Sequence, residues 1–235
     1  MPQADKTPGP DKTLIQKNWA DNVMPQSFLR WREDEAQVLY DLTYQENIVD
    51  FCCGDAKILK TIKHQVRSYL GVDYDETSIV SAQKEAAGFN NIMFSPPVDY
   101  KAFIDHHLLD YLTDGQTYFG LSIGNAIGPL NKPSVFHVLN KASKMDKFFL
   151  STLKKGNLDL RIEYYNNIGD SYDIDYDNEI IYSKTWGQSF AFSTDEFDDF
   201  AHELSKLGFK TVGYYDFGRL AHAILFERVT SAPHE

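Results

Sequence analysis

The stretch Ile48-Val49-Asp50-Phe51-Cys52-Cys53-Gly54-Asp55-Ala56-Lys57 decides the fold. A short apolar run of β-type residues ends in small residues, and a helical pattern opens behind them. A second short run closes in Gly71-Val72-Asp73-Tyr74-Asp75. Strand, tight turn, helix, and a strand with an acid at its tip form the layout of a nucleotide-type cofactor site. The turn lets backbone approach the ligand, and the acidic side chain accepts from both ribose hydroxyls.

The details of the turn narrow the choice. In the dinucleotide fingerprint G-x-G-x-x-G, counted from Cys52, the third glycine would fall at Lys57. A long charged side chain there opposes close helix–strand packing, which argues against NAD or FAD. The phosphate loop G-x-x-x-x-G-K-[ST] is absent, which argues against an ATPase. The stretch resembles motif I of the class I S-adenosylmethionine-dependent methyltransferases, written D-x-G-x-G-x-G. Asp50 takes the acidic position, Cys52 the first glycine, Gly54 the second and Ala56 the third. Asp73 follows Gly54 by 19 residues, room for one helix and one strand.

That resemblance implies S-adenosylmethionine as cofactor and a set of contacts. Asp73 would chelate the ribose diol, and Tyr74 would lie against the adenine. Cys52 and Gly54 would bring backbone to the methionine part. Asp50 would order the turn or hold the ligand's ammonium through water. The family often has an acid after the third strand, near the adenine amino group. Here Val98 aligns and Asp99 comes one later, so either the Val98 backbone or Asp99 would supply the acceptor. Ser122-Ile123-Gly124-Asn125 falls where the family makes cofactor and substrate contacts, with Ile123 assigned to the cofactor and Asn125 to the acceptor. Asn125 offers a donor and an acceptor, but an asparagine beside glycine is equally a turn residue. The Asn/Asp-Pro-Pro-Tyr/Phe pattern used on base amines is absent, which disfavours DNA adenine methylation.

At 235 residues the chain fits one α/β domain, since roughly 150 residues per domain is a soft prior. No run approaches the roughly 18 apolar residues of a membrane span. Met1 to Thr13 lacks the apolar core of a secretory signal and reads as a disordered tail. Cys52 and Cys53 are the only cysteines, and adjacent cysteines suit ordinary disulfide geometry poorly. A reducing, cytoplasmic setting follows. The net charge of −11 repels nucleic acid, and a small-molecule acceptor is the expected partner. The seven histidines show no metal-ligand spacing, and no G-x-S-x-G elbow is present.

The periodicity places helices from Leu14 to Leu42, interrupted at Pro25, with Leu14, Trp19, Val23, Phe28, Trp31, Val38 and Leu39 as apolar positions. In the resembling family such helices cover the cofactor. Trp19 or Trp31 would then line the substrate pocket, or else pack on the sheet. Strands are expected at 48–53, 69–73, 91–95, 117–123 and 147–153, with helices near 56–66, 77–87, 100–112 and 133–144 between them. Repeated βα units imply a parallel doubly wound sheet whose ligands bind beyond the carboxyl ends of the strands. After Lys155 the pattern changes to short strands at 158–166, 171–176, 179–185 and 188–192. A helix at 194–207 and two strands, 210–216 and 221–228, follow. The resemblance adds a seven-stranded sheet with its last strand antiparallel.

Residues 156–192 thus read as an inserted antiparallel β-lid. From Asp159 to Glu179 it carries seven acids against one base, interleaved with Tyr164, Tyr165, Tyr172, Tyr176, Tyr182 and Trp186. Carboxylates and aromatic faces suit a cationic or amine-bearing substrate, with Tyr172 and Trp186 as contacts. A solvated ribbon with alternating faces is the plainer reading. The expectation is a single domain over 14–229 with tails at 1–13 and 230–235. It would transfer a methyl group to a small acceptor, an amine first, because a neutral amine needs no strong base. An O-methyltransferase, an aminopropyl transferase and a non-catalytic partner subunit are the alternatives.

Overall fold

The computed structural model describes residues 22–98, 108–141, 144–185 and 187–229. Trp19, Asp99 and Trp186 lie outside the described residues, as do both tails and most of the helix expected at 100–112.

The elements run in the alternating order that the sequence implies: α1 Gln26–Leu42, β1 Asn47–Phe51, α2 Leu59–Ile62, β2 Ser68–Val72, α3 Glu76–Glu85, β3 Ile92–Phe94, α4 Leu108–Tyr111, β4 Phe119–Ser122, α5 Lys132–Lys141 and β5 Lys147–Leu153. Then come α6 Leu158–Ile168, the short strands β6 Tyr172–Asp175, β7 Ile180–Ser183 and β8 Gly187–Ser189, α7 Thr194–Lys206, β9 Phe209–Phe217 and β10 Ala221–Arg228. The seven-stranded sheet has the order β3-β2-β1-β4-β5-β10-β9. Strands β3 to β5 are mutually parallel, and β10 is antiparallel to both β5 and β9. The order reverses between β1 and β4, and a doubly wound sheet binds its ligands at such a switch point.

Alternation along each central strand sends side chains into two cores. Ile48, Tyr69, Phe119, Leu121, Phe149, Leu153 and Ala223 face the layer that holds α1, α2 and α3. Val49, Phe51, Leu70, Val72, Phe148, Leu150, Ile224 and Phe226 face the layer of α5 and α7. The α1 stripe Phe28, Trp31, Glu35 and Leu39 is buried on one helical face. Pro25 stands just before the first turn, where a missing N–H is harmless. Helix α7 opens with a capping box, Ser193 and Glu196 exchanging bonds with each other's backbone N–H.

Two boundaries differ from the sequence reading. Residues 158–168 form a helix, not the strand expected at 158–166. Its buried positions Arg161, Tyr164, Tyr165 and Ile168 follow a helical repeat, and it stops at Gly169 with φ 75°. The arginine in that stripe hides the apolar period. Helix α3 opens at Glu76, one residue before the expected 77–87, because the Asp75 carboxylate caps it by accepting from the N–H of Thr77 and Ser78.

The remaining insertion is a three-stranded antiparallel sheet, β6-β7-β8. The buried Arg161 ties it to α6, donating to the carbonyls of Glu179 (2.7 Å) and Ser189. An aromatic chain joins it to the N-terminal helix: Phe28 stacks on Tyr164 at 5.0 Å, Tyr164 meets Tyr165, and Tyr165 meets Tyr172.

Candidate cofactor site

The first turn adopts the backbone its motif demands. Cys52, Gly54 and Ala56 have φ of 60°, 56° and 51°. These are the three positions that the motif fills with glycine, and two of them hold a side chain in the left-handed region that favours glycine. The Cα of Gly54 faces open space, with no atom within 4 Å of where a Cβ would stand. A ligand can approach that backbone closely.

Asp73 closes the other side of the turn. Its Oδ2 accepts from the Gly54 N–H at 2.8 Å and its Oδ1 from the Asp75 N–H at 2.9 Å. Burial raises its pKa, while these N–H bonds act to lower it. Each carboxylate oxygen keeps a further lone-pair direction, so the group can still accept hydroxyls. Tyr74 beside it is 58% exposed, at the open rim. Val98 donates its N–H to the carbonyl of Asp73 at 2.9 Å, which draws the loop after β3 onto the tip of β2. Ile123 packs at the edge of the α1-side core.

Asn125, with φ 64°, has its Oδ1 engaged by the Thr152 hydroxyl at 2.6 Å and the Leu153 N–H at 3.2 Å. It pins the loop after β4 to β5. A Cβ on Gly128 would stand 1.8 Å from its Nδ2, so this loop accepts only glycine there. The Phe190 N–H donates to the Gly128 carbonyl at 2.6 Å, which sets the end of the inserted sheet beside the same loop. Tyr172 is half-buried on the α1-side core, its hydroxyl donating to Asn166 at 2.7 Å.

Beneath the rim lies a group of polar side chains that the sequence reading only partly finds. Asp50 is fully buried and accepts from the Tyr69 hydroxyl at 2.6 Å. Among the described residues nothing donates to its Oδ1. Burial pushes its pKa up to about 7, with the charges of Glu35 and Asp73 adding to the rise. Glu35, 4% exposed, descends from α1 onto the same place and accepts from the Gly124 N–H at 3.5 Å. Its pKa also rises to about 7 through burial, against the pull of Ser151, Gly124 and Arg32. The signal that would have found Glu35 is its register. It stands four residues from Trp31 and four from Leu39 on the buried stripe, an acid where that face requires an apolar residue.

The inserted sheet uses most of its acids internally. The Asp170 carboxylate accepts from the hydroxyls of Ser183 and Thr185, and Asp175 caps its turn through Asp177 and Asn178. Glu179 accepts from the Gly156 N–H at 2.8 Å, and Asp159 pairs with Arg219. Four of the seven acids therefore have partners within the protein, which favours the ribbon reading of this segment. Two surface clefts are present, one on the helix side of the motif turn around Asp55, Lys57, Lys60 and Lys84, the other at the amino ends of β1 and β2. Strand polarity favours the rim over both. Among the described residues no group of three His, Cys, Asp or Glu side chains is placed to hold a metal ion. No helix among them is long and apolar enough to cross a membrane.

Sheet order, antiparallel seventh strand and motif turn together define the class I S-adenosylmethionine-dependent methyltransferase fold. The comparison with solved structures agrees. A candidate methyltransferase from Thermobifida fusca superposes with a TM-score of 0.65 at 12% identity, covering 96% of this chain and 97% of the other. An S-adenosylmethionine-dependent methyltransferase from Clostridium acetobutylicum gives 0.54 at 8% identity over 91% and 94%. The Burkholderia thailandensis 1,6-didemethyltoxoflavin-N1-methyltransferase, solved with its substrate and S-adenosylhomocysteine, gives 0.58 at 11% over 86% and 79%. No family model matches the chain, and no curated protein matches it in sequence.

Proposed function

We propose that this protein is an S-adenosylmethionine-dependent methyltransferase that acts on a small-molecule acceptor, an amine, in a reducing cytoplasmic setting. The observation that carries the reading is the closure of the motif turn by Asp73. A carboxylate at the tip of β2 sits within a hydrogen bond of the glycine whose backbone faces open space. The residues present suit the cofactor. In this reading Asp73 would take the ribose and Tyr74 the adenine, the Cys52–Ala56 backbone the thioether region, and the unmet oxygen of Asp50 a cationic group.

The cofactor, when bound, supplies an activated methyl group on a sulfonium. The chain's contribution is then alignment and exclusion of water, worth up to several kcal/mol. The buried aromatics Phe28, Trp31 and Tyr164 give α1 a dry underside above the sheet. A neutral amine carries its own lone pair. The relative from Burkholderia thailandensis, named for methylation at a ring nitrogen, makes a nitrogen acceptor a reasonable first choice.

Calorimetric titration with S-adenosylmethionine and S-adenosylhomocysteine tests the reading. Micromolar binding is expected. Asp73→Ala removes charge-assisted acceptors, each worth about 1.5–3 kcal/mol, so affinity should fall by about 100-fold or more. Absence of binding by the wild type would sink the enzyme reading and leave a partner subunit that keeps only the fold.

A further inference from the structure

Tyr69 puts a hydroxyl into an apolar strand. In β2, Ser68-Tyr69-Leu70-Gly71-Val72, alternation sends Tyr69 to the α1 side, where it is 1% exposed. Its ring meets Phe94 edge-on at 6.0 Å, packing that a phenylalanine would supply equally well. The hydroxyl therefore has another use. It donates to Asp50 Oδ2 at 2.6 Å, the length of a charge-assisted bond. The register allows it: Tyr69 pairs with Ile48, and Asp50 stands two residues further along the same face of β1.

Among the described residues Tyr69 is the only group that donates to Asp50. Fixing Oδ2 fixes the plane of the carboxylate, so Oδ1 is the oxygen left for a donor on a ligand. The titratable groups that bear on Asp50 besides Tyr69 are Glu35 from α1, Asp73 from the tip of β2 and Cys53 from the motif turn. None of them is a cation, and Arg32 acts on Glu35 instead. The Tyr69 hydroxyl is thus the neighbour that favours the ionised carboxylate, against burial and two acids.

We propose that Tyr69 is the positioning residue of the cofactor turn, its hydroxyl holding the Asp50 carboxylate aligned for a cationic group of the ligand. This rests on the cofactor reading above and adds to it a residue outside the motif. The ligand-free acid keeps its proton up to about pH 7. Only the ionised form attracts a cation, so affinity should rise with pH through that value and level off above it. Loss of the hydroxyl raises the folded pKa further and moves the rise to higher pH.

The test is a pH series of calorimetric titrations from pH 6 to 8, on wild type and Tyr69→Phe. The ligands are S-adenosylhomocysteine and its deamino analogue, which keeps the carboxylate and lacks the ammonium. The result expected is a loss of about tenfold for S-adenosylhomocysteine at pH 7 in Tyr69→Phe, narrowing toward pH 8. The analogue should bind both proteins alike, which also shows that the variant is folded. In an Asp50→Asn background the same substitution should cost less than about threefold at every pH. A loss that is equal at all pH values and for both ligands would overturn the proposal and reduce Tyr69 to packing. Unchanged affinity in Tyr69→Phe would overturn it too, as would an undiminished cost in the Asp50→Asn background. If wild type binds neither S-adenosylhomocysteine nor S-adenosylmethionine, the cofactor reading itself fails and this inference falls with it.

Discussion

Each face of the central sheet has a strand that carries a buried titratable side chain with an unmet polar atom among the described residues, and the two groups have different meanings. On the α1 side it is Asp50, whose Oδ1 lacks a donor among the described residues. On the α7 side it is His222, whose Nε2 lacks one as well. Asp50 is the penultimate residue of β1 at the switch point, beside a second acid and a left-handed turn. His222 sits on β10 opposite Thr152, and its ring stacks on Phe197 at 3.8 Å. Burial, with Lys154 adding to it, pushes its pKa down to about 4, so it is neutral. A neutral imidazole against an aromatic ring is a packed core histidine. Burial and an orphaned atom do not define a site; convergence at the strand ends does.

The largest effect expected from this contrast concerns stability against pH. Burial raises the folded pKa of Asp50 to about 7 from an ordinary value of 3.8. The folded state therefore binds more protons than the unfolded one between pH 4 and 7. Stability falls as pH rises through that window and is flat above it. The effect of Asp50 is on the order of 3–4 kcal/mol, and Glu35 acts in the same direction. Asp50→Asn keeps an acceptor for Tyr69 and removes the charge. In the ligand-free protein it should be more stable than wild type at pH 8 and no different at pH 4, read by chemical denaturation. A variant less stable than wild type at pH 8 would show that the ionised carboxylate is satisfied in the native state, and the contrast with His222 would break.

His222 gives the opposite slope. Its folded pKa of about 4 lies below the ordinary 6.5, so the unfolded state binds more protons between these values. Stability rises with pH across that window, by at most about 3 kcal/mol, and is constant above 6.5. The two slopes overlap and oppose each other, so each single substitution unmasks the other. His222→Gln should steepen the fall of stability from pH 4 to 7. S-adenosylhomocysteine binding at pH 8 should be untouched, because His222 belongs to the packed core of the α7 side. Loss of binding in His222→Gln would place the histidine at the site and erase the distinction between the faces.

Much of this architecture is legible in the chain. The alternation of strand and helix, the strand 147–153 and the closing strands 210–216 and 221–228 follow from period, and Asp50 and Asp73 stand out through the motif that the first turn resembles. Two things were hidden for one physical reason. Arg161 and Glu35 are charged residues on buried helical stripes, and charge breaks the apolar period from which a buried face is read. Arg161 is tolerated because carbonyls of the inserted sheet accept from its guanidinium, Glu35 because it shares a polar floor with Asp50 and Ser151. Neither set of partners is near in sequence. The acid-rich insertion shows the reverse. Its composition suggests a charged recognition surface, but Asp170, Asp175 and Glu179 are each engaged inside the insertion, Asp170 and Glu179 by groups too far off in the chain for sequence spacing to reveal.

The smallest effect expected lies in the motif turn itself and separates strain from packing. At the β9–β10 hairpin the left-handed position is Gly218, with φ 67°, where the conformation is free of side-chain strain. At the candidate site Cys52 and Ala56 take the same conformation with a Cβ, which costs about 1–2 kcal/mol each. Substitution by glycine removes that strain and adds about 0.5–1 kcal/mol of chain entropy to the unfolded state. For the partly exposed Cys52 the balance favours glycine, and Cys52→Gly should stabilise by about 0.5 kcal/mol. Ala56 is fully buried in the α1-side core, so Ala56→Gly also forfeits about 0.8 kcal/mol of methyl burial and should be neutral or slightly destabilising. Both variants should keep S-adenosylhomocysteine affinity within about threefold, because the turn binds through backbone. A stabilised Cys52→Gly that loses binding would show that the cysteine side chain, and not the backbone shape alone, was selected at this turn.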